Sequence, residues 1–185
     1  MRAEKLKLKL FAEHAAELDA FVEVFHGWIR DEALDDELLI DVADYRHVHR
    51  GPGIVLIGHA GDYYWDQGDG RPGLTYSRKR QAPPEGERLR DGLQRLLAAA
   101  VRLEAATGVR FKTDELLLEL VDRLNAPNDD ATFSEVSREL SSVLTNLYRD
   151  ETALSHASSD ARAPLAIHAR AASRPSPQEL LARLV

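Results

Sequence analysis

The segment KLKLKLF, at residues 5–11, alternates lysine with leucine without interruption. Successive side chains of a β-strand point to opposite faces, so the pattern predicts a strand with leucines towards a core and lysines towards solvent. A row of lysines suits a solvent-facing surface or the edge of a sheet. The segment therefore predicts a sheet with one apolar and one polar face.

Three segments have the apolar period of amphipathic helices, at residues 18–29, 89–103 and 133–147. Gly108 suits the left-handed residue that ends the second helix, and Asp130 or Thr132 suits the N-cap of the third. The C-terminal SPQELLARLV begins with a capping box formed by Ser176 and Glu179. These signals predict four helices, the last of them short.

Residues 37–45 and 53–66 are rich in β-branched and aromatic residues, and each is predicted to form a strand. The glycine-rich turn at 66–73 should return the chain antiparallel into a strand at 74–79. Residues 114–124 satisfy both periods; we favour a strand because a turn follows, and a helix is the alternative. Two segments near 152–158 and 164–171 predict a closing hairpin.

The predicted order is β-α-β-β-β, α, β-α-β-β, α, which indicates one α+β domain over residues 1–185. We expect a mainly antiparallel sheet with the helices packed on one face. The order also suggests two degenerate β-α-β-β halves, at residues 1–82 and 108–173. The uncovered sheet face or a strand edge would suit a homodimer, and a monomer is equally compatible.

Composition restricts the classes of function. The formal charge of −7 argues against nucleic-acid binding, and the basic run Arg78-Lys79-Arg80 is too short to reverse that. The chain has no cysteine, which excludes disulfides and thiolate chemistry. We find neither a signal-peptide pattern nor an apolar run of membrane-spanning length, so we expect a cytoplasmic protein.

Three histidines surround a Gly-Pro-Gly turn in DYRHVHRGPGIVLIGH, at residues 44–59. In an extended chain, His47 and His49 point to the same side, and such a pair can supply two ligands to zinc or iron. His59 is the candidate third ligand. The alternative is that these are solvated loop histidines, since no complete metal motif such as H-E-x-x-H is present.

Aromatic residues cluster in the strands beyond this turn. Tyr63 and Trp65 share one strand face, with Tyr76 close by, and Tyr64 takes the other face. Together with Arg50, which lies beside backbone N–H groups suited to an anion, Tyr63, Trp65 and Tyr76 are the candidate ligand-binding residues. The alternative is that the aromatic residues cap the core. No complete catalytic motif identifies a catalytic residue.

Residues 38–80, LLIDVADYRHVHRGPGIVLIGHAGDYYWDQGDGRPGLTYSRKR, resemble a family of uncharacterised bacterial proteins, cyanobacterial ones among them. The similarity continues through FKTDELLLELVDRLNAPND, at residues 111–129. The resemblance implies a complete single-domain protein and supplies no catalytic residues. Because no catalytic motif is complete and residues 53–78 form an aromatic, glycine-rich strand block, we expect a protein without its own catalysis or cofactor that binds a small molecule or a protein partner. The alternative is a metal-dependent enzyme or metal sensor that uses the H-x-H pair.

Overall fold

The computed structural model describes residues 1–35, 37–68, 70–158 and 160–184. In chain order its elements are β1 (Leu6–Ala12), α1 (Leu18–Arg30), β2 (Leu39–Asp44), β3 (Ile54–Gly58), β4 (Gly61–Asp66), β5 (Gly73–Arg78), α2 (Arg88–Thr107), β6 (Phe111–Leu120), α3 (Asp130–Tyr148), β7 (Thr152–His156), β8 (Leu165–Ala171) and α4 (Pro177–Ala182). The strands form one antiparallel sheet with the order β2-β3-β4-β5-β1-β6-β8-β7, which confirms the predicted α+β class.

The helices pack on the sheet face that carries Leu6, Leu8 and Leu10, all of which are buried. Helix α2 lies against the centre of this face, where a Cβ at Gly92 would come within 2.9 Å of the Leu8 side chain. Helices α1 and α3 cover the two flanks, and α4 packs on α2. The predicted two-layer arrangement is therefore confirmed.

The opposite face, here called the open face, carries the side chains that alternate with the buried leucines. The register places Lys9 between Thr75 and Leu117, and Lys7 between Ser77 and Glu119. The lysine row therefore runs through the middle of the sheet, because β1 pairs with both β5 and β6 while β2 and β7 are the edges. Of the two alternatives for this row, a solvent-facing surface or a sheet edge, the edge is therefore excluded.

Two further local predictions differ from the structure. The predicted strand at 53–66 is two strands joined by a tight turn between Gly58 and Gly61. The Glu37 carboxylate accepts the Ala60 N–H at 2.8 Å, so a distant side chain stabilises this turn. The N-cap of α3 is Asp129, one residue before the first predicted candidate, and its carboxylate accepts the Thr132 N–H.

Other local predictions are confirmed. Residues 111–120 form strand β6, so the ambiguous segment is extended up to Leu120. Gly108 is left-handed, with φ of 72°, at the end of α2. The capping box of Ser176 and Glu179 is present, and β7 and β8 form the closing hairpin. Within the described residues, no helix is both long and apolar enough to cross a membrane.

The two proposed halves follow a related path through the sheet. In each, the first strand is followed by a helix and then by an edge strand, and the chain returns to lie beside that first strand. The first strands, β1 and β6, are neighbours at the centre. The first half has two additional strands, β3 and β4. An internal duplication and a single domain over the whole chain stay predictions.

Candidate functional site

A groove of about 640 Å³ lies on the open face and is here called the open-face groove. Strands β1, β4, β5, β6 and β8 supply its floor, the β2–β3 and β7–β8 loops supply its two rims, and Gly68 of the β4–β5 loop also lines it. Binding sites for small molecules commonly have about 300–1,000 Å³. The groove thus has the size of a small-molecule site.

The β2–β3 loop forms one rim and is held by its own backbone. The Val48 N–H bonds the Tyr45 carbonyl, and the Gly51 N–H bonds the Val48 carbonyl, both at 2.9 Å. Gly53 is left-handed, and a Cβ there would come within 2.2 Å of a backbone oxygen of β4, so only glycine fits. This folded loop places Arg50 and Pro52 at the groove.

The β7–β8 loop forms the other rim and is fastened by the buried Asn128. The Asn128 amide nitrogen donates to the carbonyls of Ser158 at 3.0 Å and Asp160 at 2.8 Å. Its amide oxygen lies 2.6 Å from His156 Nε2, which therefore donates to it. The His156 ring stacks on Phe133, with centroids 4.7 Å apart. The Asn128 amide thus joins this rim to His156 of β7, and the His156 ring joins β7 to α3.

Two ion pairs lie in the floor of the groove. Lys9 Nζ is 3.1 Å from Asp66 Oδ2, and the Lys9 side chain is only 5% exposed while that of Asp66 is 26% exposed. Asp66 also accepts the Gly68 N–H at 2.8 Å. Lys7 Nζ is 3.4 Å from Glu119 Oε2. Among the described residues, each of these two lysines therefore has a carboxylate partner in the floor.

Most of the remaining groove surface is apolar. Burial, and next the charge of Asp62, raise the pKa of Tyr64 to about 12, so its phenol is neutral at physiological pH. The Tyr64 hydroxyl lies 3.4 Å from Asp62 Oδ2, and Asp62 is itself paired with Lys79 at 2.6 Å. The other apolar lining side chains are those of Pro52, Leu117, Ala157, Ala163, Pro164 and Ala166.

The candidate ligand-binding residues are divided between the two faces. Arg50 lines the open-face groove. Trp65 and Tyr76 are buried on the helix face, where Trp65 stacks on Phe21 with centroids 4.0 Å apart. Tyr63 lies 5.1 Å from Tyr76 and lines a smaller cavity of about 290 Å³ beside α2. Within this aromatic run, Tyr64 is the residue that lines the open-face groove. The sequence signal for this is the alternation of side chains along the strand, which places Tyr64 on the opposite face from Tyr63 and Trp65.

The smaller cavity adjoins a network of charges, two of them buried and two partly exposed. The Glu37 carboxylate is fully buried and lies 3.4 Å from Arg95, which also pairs with Asp91 at 3.1 Å. Asp91 in turn binds Arg78, a buried side chain of β5. Arg78 belongs to the basic run Arg78-Lys79-Arg80, and its guanidinium is buried and paired with Asp91. This network ties α2 to β5 and to the β3–β4 turn.

The candidate metal ligands lie in different parts of the first half. His47 and His49 are exposed in the β2–β3 loop, and the His47 ring is 6.5 Å from that of Tyr45. His59 lies in the β3–β4 turn, at the opposite end of β3. In the part of the chain that the structure describes, no group of three or more His, Asp or Glu side chains is arranged to hold a metal ion. The three histidines are thus not brought together as a metal site.

In comparisons with known proteins, no family model, curated protein or solved structure matches this chain. Membership of the bacterial family that residues 38–80 resemble stays a prediction. The geometry of the open-face groove is therefore the basis for proposing a function.

Proposed function

We propose that this protein binds a small, largely apolar molecule in the open-face groove and has no chemistry of its own. The observation that carries the proposal is the groove itself, since a cavity of about 640 Å³ is formed between two rim loops over a rigid sheet. A floor of strands needs little rearrangement on binding, which reduces the ordering cost of association.

The lining residues also support a binding role. Leu117 and the alanine and proline side chains of the groove offer apolar surface, whose removal from water stabilises a complex. Each charge in the floor already has a partner, so an apolar ligand body would lie on paired rather than uncompensated charges. Such a site, mainly apolar with a few placed polar groups, is typical of small-molecule binding.

Nile red, a neutral apolar dye whose fluorescence rises in apolar surroundings, tests this proposal. We expect saturable binding to the wild-type protein and at least a tenfold weaker affinity (~1.4 kcal/mol) in Ala166→Phe, whose ring would fill the groove. Ala153→Phe is the matched control, because Ala153 is exposed on the same sheet face in edge strand β7, outside the groove. Urea unfolding would verify that both variants fold.

Two results would overturn the proposal. One is the absence of saturable dye binding to the wild-type protein. The other is equal dye affinity in the Ala166→Phe and Ala153→Phe variants, which would place the dye outside the groove.

A further inference from the structure

The groove carries one charge that the floor does not compensate. Lys7 and Lys9 are paired with Glu119 and Asp66, whereas Arg50 has no hydrogen bond or ion pair with any side chain in the described part of the chain. Among the lining residues that the structure describes, three cations face two carboxylates, which leaves a net charge of about +1, although the whole chain has a formal charge of −7. The excess charge is at the rim.

We infer that the ligand of the groove is an organic monoanion, a carboxylate joined to an apolar body, and that Arg50 binds its carboxylate. This inference rests on the proposed function and names the class of ligand. A guanidinium presents a planar fork of N–H donors that matches a carboxylate in two parallel hydrogen bonds. The apolar floor and the β7–β8 rim would then hold the rest of the molecule.

The backbone at Arg50 supports a role for its side chain. Its φ is 57°, in the left-handed region, which disfavours residues with a Cβ. Glycine adopts this conformation without the penalty, and the loop has glycine at positions 51 and 53. A long cationic residue in a strained position at the rim of a cavity is consistent with selection for binding rather than for stability.

A matched pair of aromatic competitors tests the inference. Naphthalene-2-carboxylate and naphthalene-2-carboxamide have nearly the same shape, and only the first is charged at neutral pH. By displacement of Nile red, we expect the wild-type protein to bind the carboxylate about tenfold more tightly than the carboxamide. In Arg50→Gln the preference should fall to about one, with both competitors measured against the Nile red affinity of the variant itself.

The matched control is Arg138→Gln, which makes the same change in net charge. Arg138 is exposed in α3, on the other layer of the fold, so this variant should keep the preference for the carboxylate. Equal affinity of the wild-type protein for both competitors, or a preference retained in Arg50→Gln, would overturn the inference and leave groove binding intact. Absence of Nile red binding would overturn the proposed function and this inference together.

Discussion

The ion pair of Lys9 and Asp66 supports the floor of the groove, and Asp66→Asn tests it. The variant keeps the shape of the side chain and a carbonyl oxygen for the Gly68 N–H, but it removes the charge that faces a lysine only 5% exposed. Breaking a fully buried pair from one side costs about 3–5 kcal/mol. Because Asp66 is 26% exposed and water screens part of the interaction, we expect a loss of about 2 kcal/mol.

Urea unfolding followed by tryptophan fluorescence measures this loss, since Trp28 and Trp65 are both buried. With a typical urea dependence of about 2 kcal/mol per molar, the midpoint should fall by about 1 M. Glu119→Gln is the control in the same floor: its partner Lys7 is 40% exposed, so the loss should be below about 1 kcal/mol. A loss below about 0.5 kcal/mol in Asp66→Asn would refute the argument that Lys9 depends on this carboxylate.

Three further predictions concern the two rims of the groove and the carboxylate of Glu115. Arg50→Gly should raise the free energy of unfolding by up to about 1 kcal/mol, by removing the left-handed penalty, and differential scanning calorimetry would detect it. Asn128→Ala should cost about 1–3 kcal/mol and speed amide hydrogen exchange in the β7–β8 loop, because two buried hydrogen bonds to that loop are lost. Burial acts to raise the pKa of Glu115, but the hydrogen bond and charge of Arg71 outweigh it and lower the pKa. The ionised Glu115 therefore stabilises the fold fully above the ordinary glutamate pKa of about 4.3. This stabilisation is lost as the pH falls through the lower pKa that Glu115 has in the folded protein. The difference in free energy of unfolding between wild type and Glu115→Gln should therefore shrink in acid.

The fold class could be predicted from the sequence because periodicity reports which side chains face a core. The alternation at residues 5–11 correctly separates buried leucines from the other face of β1. It does not report the position of the strand in the sheet, so a lysine row that suggested an edge lies at the centre. The turn at residues 58–61 was missed because its Glu37 partner is distant in the chain. The glycines on both sides of His59 and Ala60 are the local signal for that turn.

The candidate site was less accessible to prediction than the fold. The groove combines side chains from five strands and three loops, and a sequence does not show which loops rise over the same face. Arg50, which is predicted from the local chemistry of its loop, lines the groove. Trp65 and Tyr76 were chosen for aromatic character, which is equally typical of a core, and both are buried on the helix face. Tyr64 lines the groove, and the period of two had already placed it on the opposite face from Tyr63.

The most direct test of ligand binding in the open-face groove is an NMR titration of the ¹⁵N-labelled protein with naphthalene-2-carboxylate. We expect saturable shifts of amide resonances around the groove, at residues 50, 51, 64–68, 117–119, 163, 165 and 166. Amides around the smaller cavity beside α2, near Tyr63 and Arg95, should shift little. Shifts confined to the cavity beside α2, or no saturable shift at all, would contradict ligand binding in the open-face groove.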